Sequence, residues 1–329
     1  MNTRQPFGAS LFAGLALALF GTAALADGPS RVVVFGDSLS DAGNHHLYFG
    51  QSAHQPFEPI PSASYDIGGH HFTNGATWIE QFSRRLAVPQ SARPALAPSL
   101  PGSNYAFGQA RARANAPEFP VFDFGSQVGT FLSDVGGQAP ADALYVVWIG
   151  ANDVRDAIST ILMAYLLPGG DPVAAQGAAF QVLHAAGEAT ANGIGALYAA
   201  GARNFLVVNV PSPGHTPALA VFGPLAQGVA AQVAGAYNAG LADAVSMLTL
   251  ALPGSSFTLL DADGVIGDIF ADPAGSGFDD VYTPCLAFGQ LQGAICEAPD
   301  RHLFWDAVHP TRGGHRVMAN AAAEALGVD

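Results

Sequence analysis

The sequence predicts an α/β sandwich around a parallel sheet, and three observations predict it. Four short apolar runs rich in β-branched residues recur along the chain; long Ala-rich segments lie between them; and each of the first three runs ends in a polar, Gly-bearing cluster. A run that is apolar at successive positions, not at alternate ones, fits a strand buried on both faces, as parallel strands are. Strands that alternate with helical segments lay helices over such a sheet.

Residues 1–26 stand apart from this pattern. Arg4, the apolar run Leu11 to Phe20 and the small-residue triplet Ala24-Leu25-Ala26 read as a secretory signal peptide. The run is too short to cross a bilayer, and no later stretch reaches about 18 uninterrupted apolar residues, so the mature chain is expected to have no integral membrane segment. With no internal repeat and no dividing linker, residues 27–329 are expected to form a single domain. Its strands are placed at Arg31–Phe35, Ala143–Ile149, Asn204–Val210 and Ser256–Leu260. Helices are placed at about 173–200 and 218–250, and the Pro-, Gly- and Ala-rich stretch from about 86 to 127 is expected to be irregular.

Composition narrows the function. Of 329 residues, half are hydrophobic and 12% are charged, so a sizeable core is expected and disorder is not. The net charge is −14, and every one of the 12 basic residues is Arg. A surface this acidic does not supply the clustered positive charge that nucleic acids or anionic membranes need. Cys285 and Cys296 are the only cysteines. Export to an oxidising compartment favours a disulfide between them, with two free thiols as the alternative. Two lone cysteines do not make a zinc site.

Three clusters could carry chemistry. Phe35-Gly36-Asp37-Ser38-Leu39-Ser40-Asp41 places a Ser on a tight turn directly after a buried strand, where a nucleophile is exposed, although a helix-capping Ser sits in the same place. Asp306-Ala307-Val308-His309-Pro310 spaces a carboxylate three residues before an imidazole. The carboxylate can then hold one ring nitrogen and leave the other facing a nucleophile. Gly150-Ala151-Asn152-Asp153 offers a side-chain amide at a strand end, either as an oxyanion donor or as an ordinary turn pair. The loop Gly102–Ala110 can present a backbone N–H but says little alone. His45-His46 and His70-His71 are adjacent pairs, which seldom ligate one metal together, so no metal site is expected. There is no Gly-x-Ser-x-Gly elbow, HExxH, P-loop or Gly-x-Gly-x-x-Gly pattern. Ligands in open parallel sheets bind past the carboxyl ends of the strands, where the clusters Gly36-Asp37-Ser38, Gly150-Ala151-Asn152-Asp153 and Pro211-Ser212-Pro213-Gly214 end the first three runs.

Taken in order, these segments resemble the GDSL/SGNH hydrolase superfamily, in its bacterial lipase-like branch. Gly36-Asp37-Ser38-Leu39 resembles the first block, Phe72-Thr73-Asn74-Gly75 with Trp78 the segment after it, and Asn104-Tyr105-Ala106-Phe107-Gly108 the second block. Gly150-Ala151-Asn152-Asp153 resembles the third block and Asp306-Ala307-Val308-His309-Pro310-Thr311 the fifth. Val208-Asn209-Val210-Pro211 and the stretch from Asp268 to Phe278 add further matches.

The resemblance implies a flavodoxin-like three-layer α/β/α sandwich with a central parallel sheet. It implies Ser38 as nucleophile, His309 as general base and Asp306 as its orienter. The oxyanion would be held by the Ser38 N–H, a second-block N–H and Asn152. Members usually carry two glycines where this chain has Gly108-Gln109, so the resemblance leaves the second-block donor open between those two residues. No cofactor is implied, and the expected partner is a small-molecule or lipid ester. An acyl-ester hydrolase of the lipase or lysophospholipase kind is favoured; a glycan O-acetyl esterase and a non-catalytic binding protein are the alternatives. A secreted or periplasmic location follows from the leader.

Overall fold

The computed structural model describes residues 28–49, 71–115, 122–286 and 295–328; the leader and His70 lie outside these. In chain order the elements are β1 (Val32–Gly36), α1 (Asn44–Phe49), α2 (Trp78–Arg85), α3 (Phe124–Asp134), β2 (Leu144–Trp148), α4 (Ala151–Leu166) and α5 (Pro172–Ala200). There follow β3 (Asn204–Val208), α6 (Pro217–Ala220), α7 (Gly223–Ala251), β4 (Ser256–Leu260), α8 (Ala262–Ala271) and α9 (Arg312–Ala325). All four strands are parallel and form one sheet in the order β1-β2-β3-β4, with Gly36 paired to Trp148 and Val208 to Leu260.

β1, β2 and β3 form because both of their faces are covered; β4, expected to be buried on both faces, is the edge strand, and only its Leu260 is buried. Val33, Phe35, Tyr145, Val147, Phe205 and Val207 face a core shared with α3, α4, α5 and α7. The alternate residues Val34, Val146, Trp148, Leu206 and Val208 face the opposite core, shared with α2 and α9. Removing each such side chain from water stabilises the fold by roughly 1.5–3 kcal/mol before chain entropy is counted.

Among its described residues, the stretch expected to be irregular has no strand ladder of its own, although α3 begins at its end, and it completes the sheet. Residues 103–107 run parallel to β1, with the Val34 N–H donating to Ser103 O, the Tyr105 N–H to Val34 O and the Phe107 N–H to Gly36 O. Counting this segment as the second strand in sequence, the spatial order becomes 2-1-3-4-5, that of flavodoxin-like sheets. The switch point then falls between β1 and β2.

Helix boundaries follow local chemistry. Asp171 accepts from the Val173 and Ala174 N–H groups ahead of Pro172, and Gly201 at φ 124° ends α5. The single helix expected over about 218–250 is two, because Gly223 at φ 80° breaks the chain and Pro224 restarts it. Cys285 and Cys296 are joined by a disulfide packed with Leu286 and Trp305, and closing a loop of that size is worth about 2–3 kcal/mol.

Candidate active site

The site lies at the carboxyl edge of the sheet, on both sides of the switch point. Backbone turns past β1 bring the Ser40 and Asp41 N–H groups onto Asp37 O, and this leaves the Ser38 side chain half-buried at the head of the turn. Gly36 is required beneath it, since a Cβ there would lie 2.6 Å from Trp148 O. The Gln127 side-chain amide bonds both Gly36 N and Gly36 O, fixing the strand end.

His309 arrives from a sequence distance of 271 residues. Its Nε2 lies 2.8 Å from Ser38 Oγ, and its Nδ1 lies 2.8 Å from Asp306 Oδ2. The other carboxylate oxygen of Asp306 accepts from the Val308 and His309 N–H groups at 2.7 and 2.6 Å. Asp306 is thus an Asx-type turn anchor as well as a ring partner, and it is buried. An ionised Asp306 can only accept, so the imidazole proton is assigned to Nδ1 and Nε2 is left to accept from the Ser38 hydroxyl.

The loop carrying His309 is braced from outside the motif. Thr73 Oγ1 donates to Pro310 O at 2.8 Å, Asn74 Oδ1 accepts from the Arg312 N–H, and the Phe72 ring lies 5.3 Å from the His309 ring. The Leu286 and Cys285 N–H groups donate to Trp305 O and Phe304 O, so the disulfide backs the same loop. Phe72-Thr73-Asn74-Gly75 had no assigned role in the sequence reading; its contacts make it a buttress for His309.

The second-block loop is held by three polar side chains in succession. Asp41 Oδ2 accepts from the Gly108 N–H at 2.8 Å, Asn152 Nδ2 donates to Ala110 O at 2.8 Å, and Asp153 Oδ2 accepts from the Ala112 N–H at 2.7 Å. Gly108 therefore has its N–H committed, and a Cβ there would lie 2.5 Å from the Phe72 ring. Gln109 sits in the left-handed region at φ 66°, a conformation that costs a non-glycine residue roughly 1–2 kcal/mol. Its N–H has no acceptor among the described residues, and the same holds for the Ser38 N–H and the second amide hydrogen of Asn152. These three donors stand just past Phe107, Gly36 and Trp148, which are neighbours in adjacent strands.

Burial raises the carboxyls of Asp37, Asp41 and Asp153 from the ordinary range to about 6 each, against the opposing pull of backbone N–H donors. Asp41 and Asp153 were visible in the sequence only as motif letters. The Asx pattern Asp41-x-Gly43-Asn44 was the one signal for the former, whose carboxylate also takes the Gly43, Asn44 and His45 N–H groups. Of the histidines weighed for metal, His45 packs against Phe49, Phe72 and Phe107, and His71 Nε2 lies 2.9 Å from Glu80.

A family model described as GDSL-like lipase/acylhydrolase matches residues 32–322. Among curated proteins of Arabidopsis thaliana, the chain is 28% identical to GDSL esterase/lipase At1g71250, over 91% of this chain and 86% of that protein. It is 26% identical to GDSL esterase/lipase 6, over 88% of this chain and 85% of that one. These relatives are plant proteins, whereas the motifs had suggested a bacterial branch.

Proposed function

The chain belongs to the GDSL-like lipase/acylhydrolase family of carboxylic ester hydrolases, and we propose that it cleaves acyl esters through an acyl-enzyme on Ser38. The observation that carries this is the unbroken relay from Ser38 Oγ through His309 to Asp306, two contacts of 2.8 Å each. His309 Nε2 takes the Ser38 proton as Oγ attacks the ester carbonyl, and the resulting imidazolium is stabilised by Asp306. The tetrahedral oxyanion is received by the Ser38 and Gln109 N–H groups and by Asn152 Nδ2. Collapse breaks the C–O bond, and the alcohol leaves with the proton from His309. A water then gives its proton to His309, attacks the acyl carbon and releases the acid. Gln109 is favoured over Gly108 because the Gly108 N–H already serves Asp41.

Residues 1–26 are read as an export leader and 27–329 as one catalytic domain. The test is a substrate panel on secreted protein whose intact mass reads a start at Asp27. Acyl esters of graded chain length are expected to be hydrolysed well above an acetylated polysaccharide, and the reverse order would make the enzyme a glycan O-acetyl esterase.

The oxyanion assignment has its own expected result. Removing one donor with Asn152→Ala lowers kcat by roughly 10²–10³-fold with little change in KM, because the donor acts on charge that develops only in the transition state. Gln109→Pro, which deletes the N–H and cannot reach positive φ, lowers kcat at least as far, whereas Gln109→Gly keeps both and retains activity. A rise confined to KM in Asn152→Ala would reassign that residue to substrate positioning.

A further inference from the structure

The strands are too short for the helices laid against them. β3 and β4 have 5 residues each, about 16 Å, but α5 and α7 have 29 each, about 43 Å. Both helices end at the amino edge of the sheet, where the Ala139 N–H meets Ala200 O and the Ser256 N–H meets Arg203 O. They pass the carboxyl edge part-way along. Gly193 abuts Phe124 one turn from the Gln127–Gly36 contact, the Tyr237 hydroxyl donates to Ile149 O, and Asn238 bonds Val210. The first halves of α5 and α7 therefore project roughly 20–30 Å beyond the edge that carries Ser38. α4 rises with them, since it starts at the carboxyl edge with Asn152 in its first turn and packs along α5.

The ends of this prominence are apolar and, apart from the exposed Asp171 that caps α5, uncharged. Leu166, Leu167 and Val173 are exposed where α4 meets α5, and Val221, Phe222 and Leu225 are exposed where α6 meets α7, with Val173 79% and Val221 80% accessible. Residues 157–170 and 216–242 contain no Asp, Glu, Lys or Arg, in a chain of net charge −14. The second tip adjoins the active-site loop directly, through the Ala218 N–H donating to Ala307 O two residues from His309.

We propose that these two tips dock the enzyme on a lipid surface of neutral or zwitterionic headgroups, with the active-site edge facing it. Two separate clusters of exposed apolar side chains suit insertion at a headgroup–acyl boundary, and Tyr165 beside Leu166 adds a ring of the kind that sits there. The absence of Lys and Arg at the tips, with net negative charge elsewhere, selects against anionic lipid. A second copy seated on the same tips would crowd the edge that must admit substrate.

The experiment is flotation with vesicles of ether-linked dialkyl phosphatidylcholine, which holds no cleavable acyl ester, so binding is read apart from catalysis. The wild-type chain is expected to float, and to float less when phosphatidylserine analogue is added. Leu166→Asp with Phe222→Asp, and the milder Leu166→Ser with Phe222→Ser, are expected to weaken partitioning at least tenfold while hydrolysis of a soluble short-chain ester is unchanged. Failure of the wild type to float, equal flotation of wild type and variants, or a dimer that the tip substitutions dissociate would each overturn the proposal. Loss of soluble-ester hydrolysis in the wild type would instead sink the catalytic reading alone.

Discussion

Ser38→Ala is expected to lower acyl-ester hydrolysis by roughly 10⁵–10⁶-fold, the loss seen when a nucleophile that works as one unit with its base is removed. Among the described residues the hydroxyl makes one side-chain hydrogen bond, to His309 Nε2 at 2.8 Å, and the side chain is only half-buried. Its removal takes one hydrogen bond from the His309 ring, and the turn beneath it is built from the Asp37 carbonyl and Gly36. The melting temperature and near-UV spectrum should therefore stay at wild-type values while the steady-state rate collapses. Covalent labelling by a fluorophosphonate should vanish with it. Retention of more than a tenth of the wild-type rate would mean that Ser38 caps a turn and that another residue attacks the ester.

Asp306→Asn is expected to cost about 10⁴-fold in kcat, and the structure says why an isosteric change is so damaging. Asp306 Oδ1 accepts two backbone N–H groups, from Val308 and His309, and Oδ2 faces His309 Nδ1. An Asn has one acceptor. Held by two backbone donors, its oxygen stays with them and its NH₂ is turned toward Nδ1. The imidazole must then move its proton to Nε2, which no longer accepts from Ser38. The alternative rotamer frees the ring but leaves the two N–H groups facing a donor. Asp306→Glu, which cannot keep the turn bonds and the ring contact together, is expected to be nearly as poor. Because Ser38, His309 and Asp306 act together, adding Asp306→Asn to Ser38→Ala should cost almost nothing more. Steady-state kinetics on the two single variants and the double variant read this directly, and additive losses would show that Asp306 works independently of Ser38.

Much of this candidate site is legible in the sequence. The strand ends carrying Ser38 and Asn152, and the three-residue spacing of Asp306 and His309, are local patterns whose chemistry depends on neighbours in sequence. The bonds that hold the second-block loop were not legible. Asp41 meets Gly108 across 67 positions, and Asp153 meets Ala112 across 41, and nothing in either local pattern names the partner. Phe72, Thr73 and Asn74 were recognisable as a motif, but their work is done on Pro310, Arg312 and His309, more than 200 positions away.

By itself the sequence determined that four strands pair in parallel under helices, because continuous β-branched runs and Ala-rich segments admit little else. It also determined which residue types stand at the strand ends. Only the tertiary structure decided that residues 103–107 take a place beside β1, since an isolated irregular segment acquires that position from the free edge it meets. It also showed that the Gly108 N–H is taken by Asp41, because which N–H is committed depends on where a distant carboxylate lands. And it alone revealed that α5 and α7 outrun the sheet. Helix length is written in the chain, but the level at which a helix crosses a strand edge is set by side-chain packing between them.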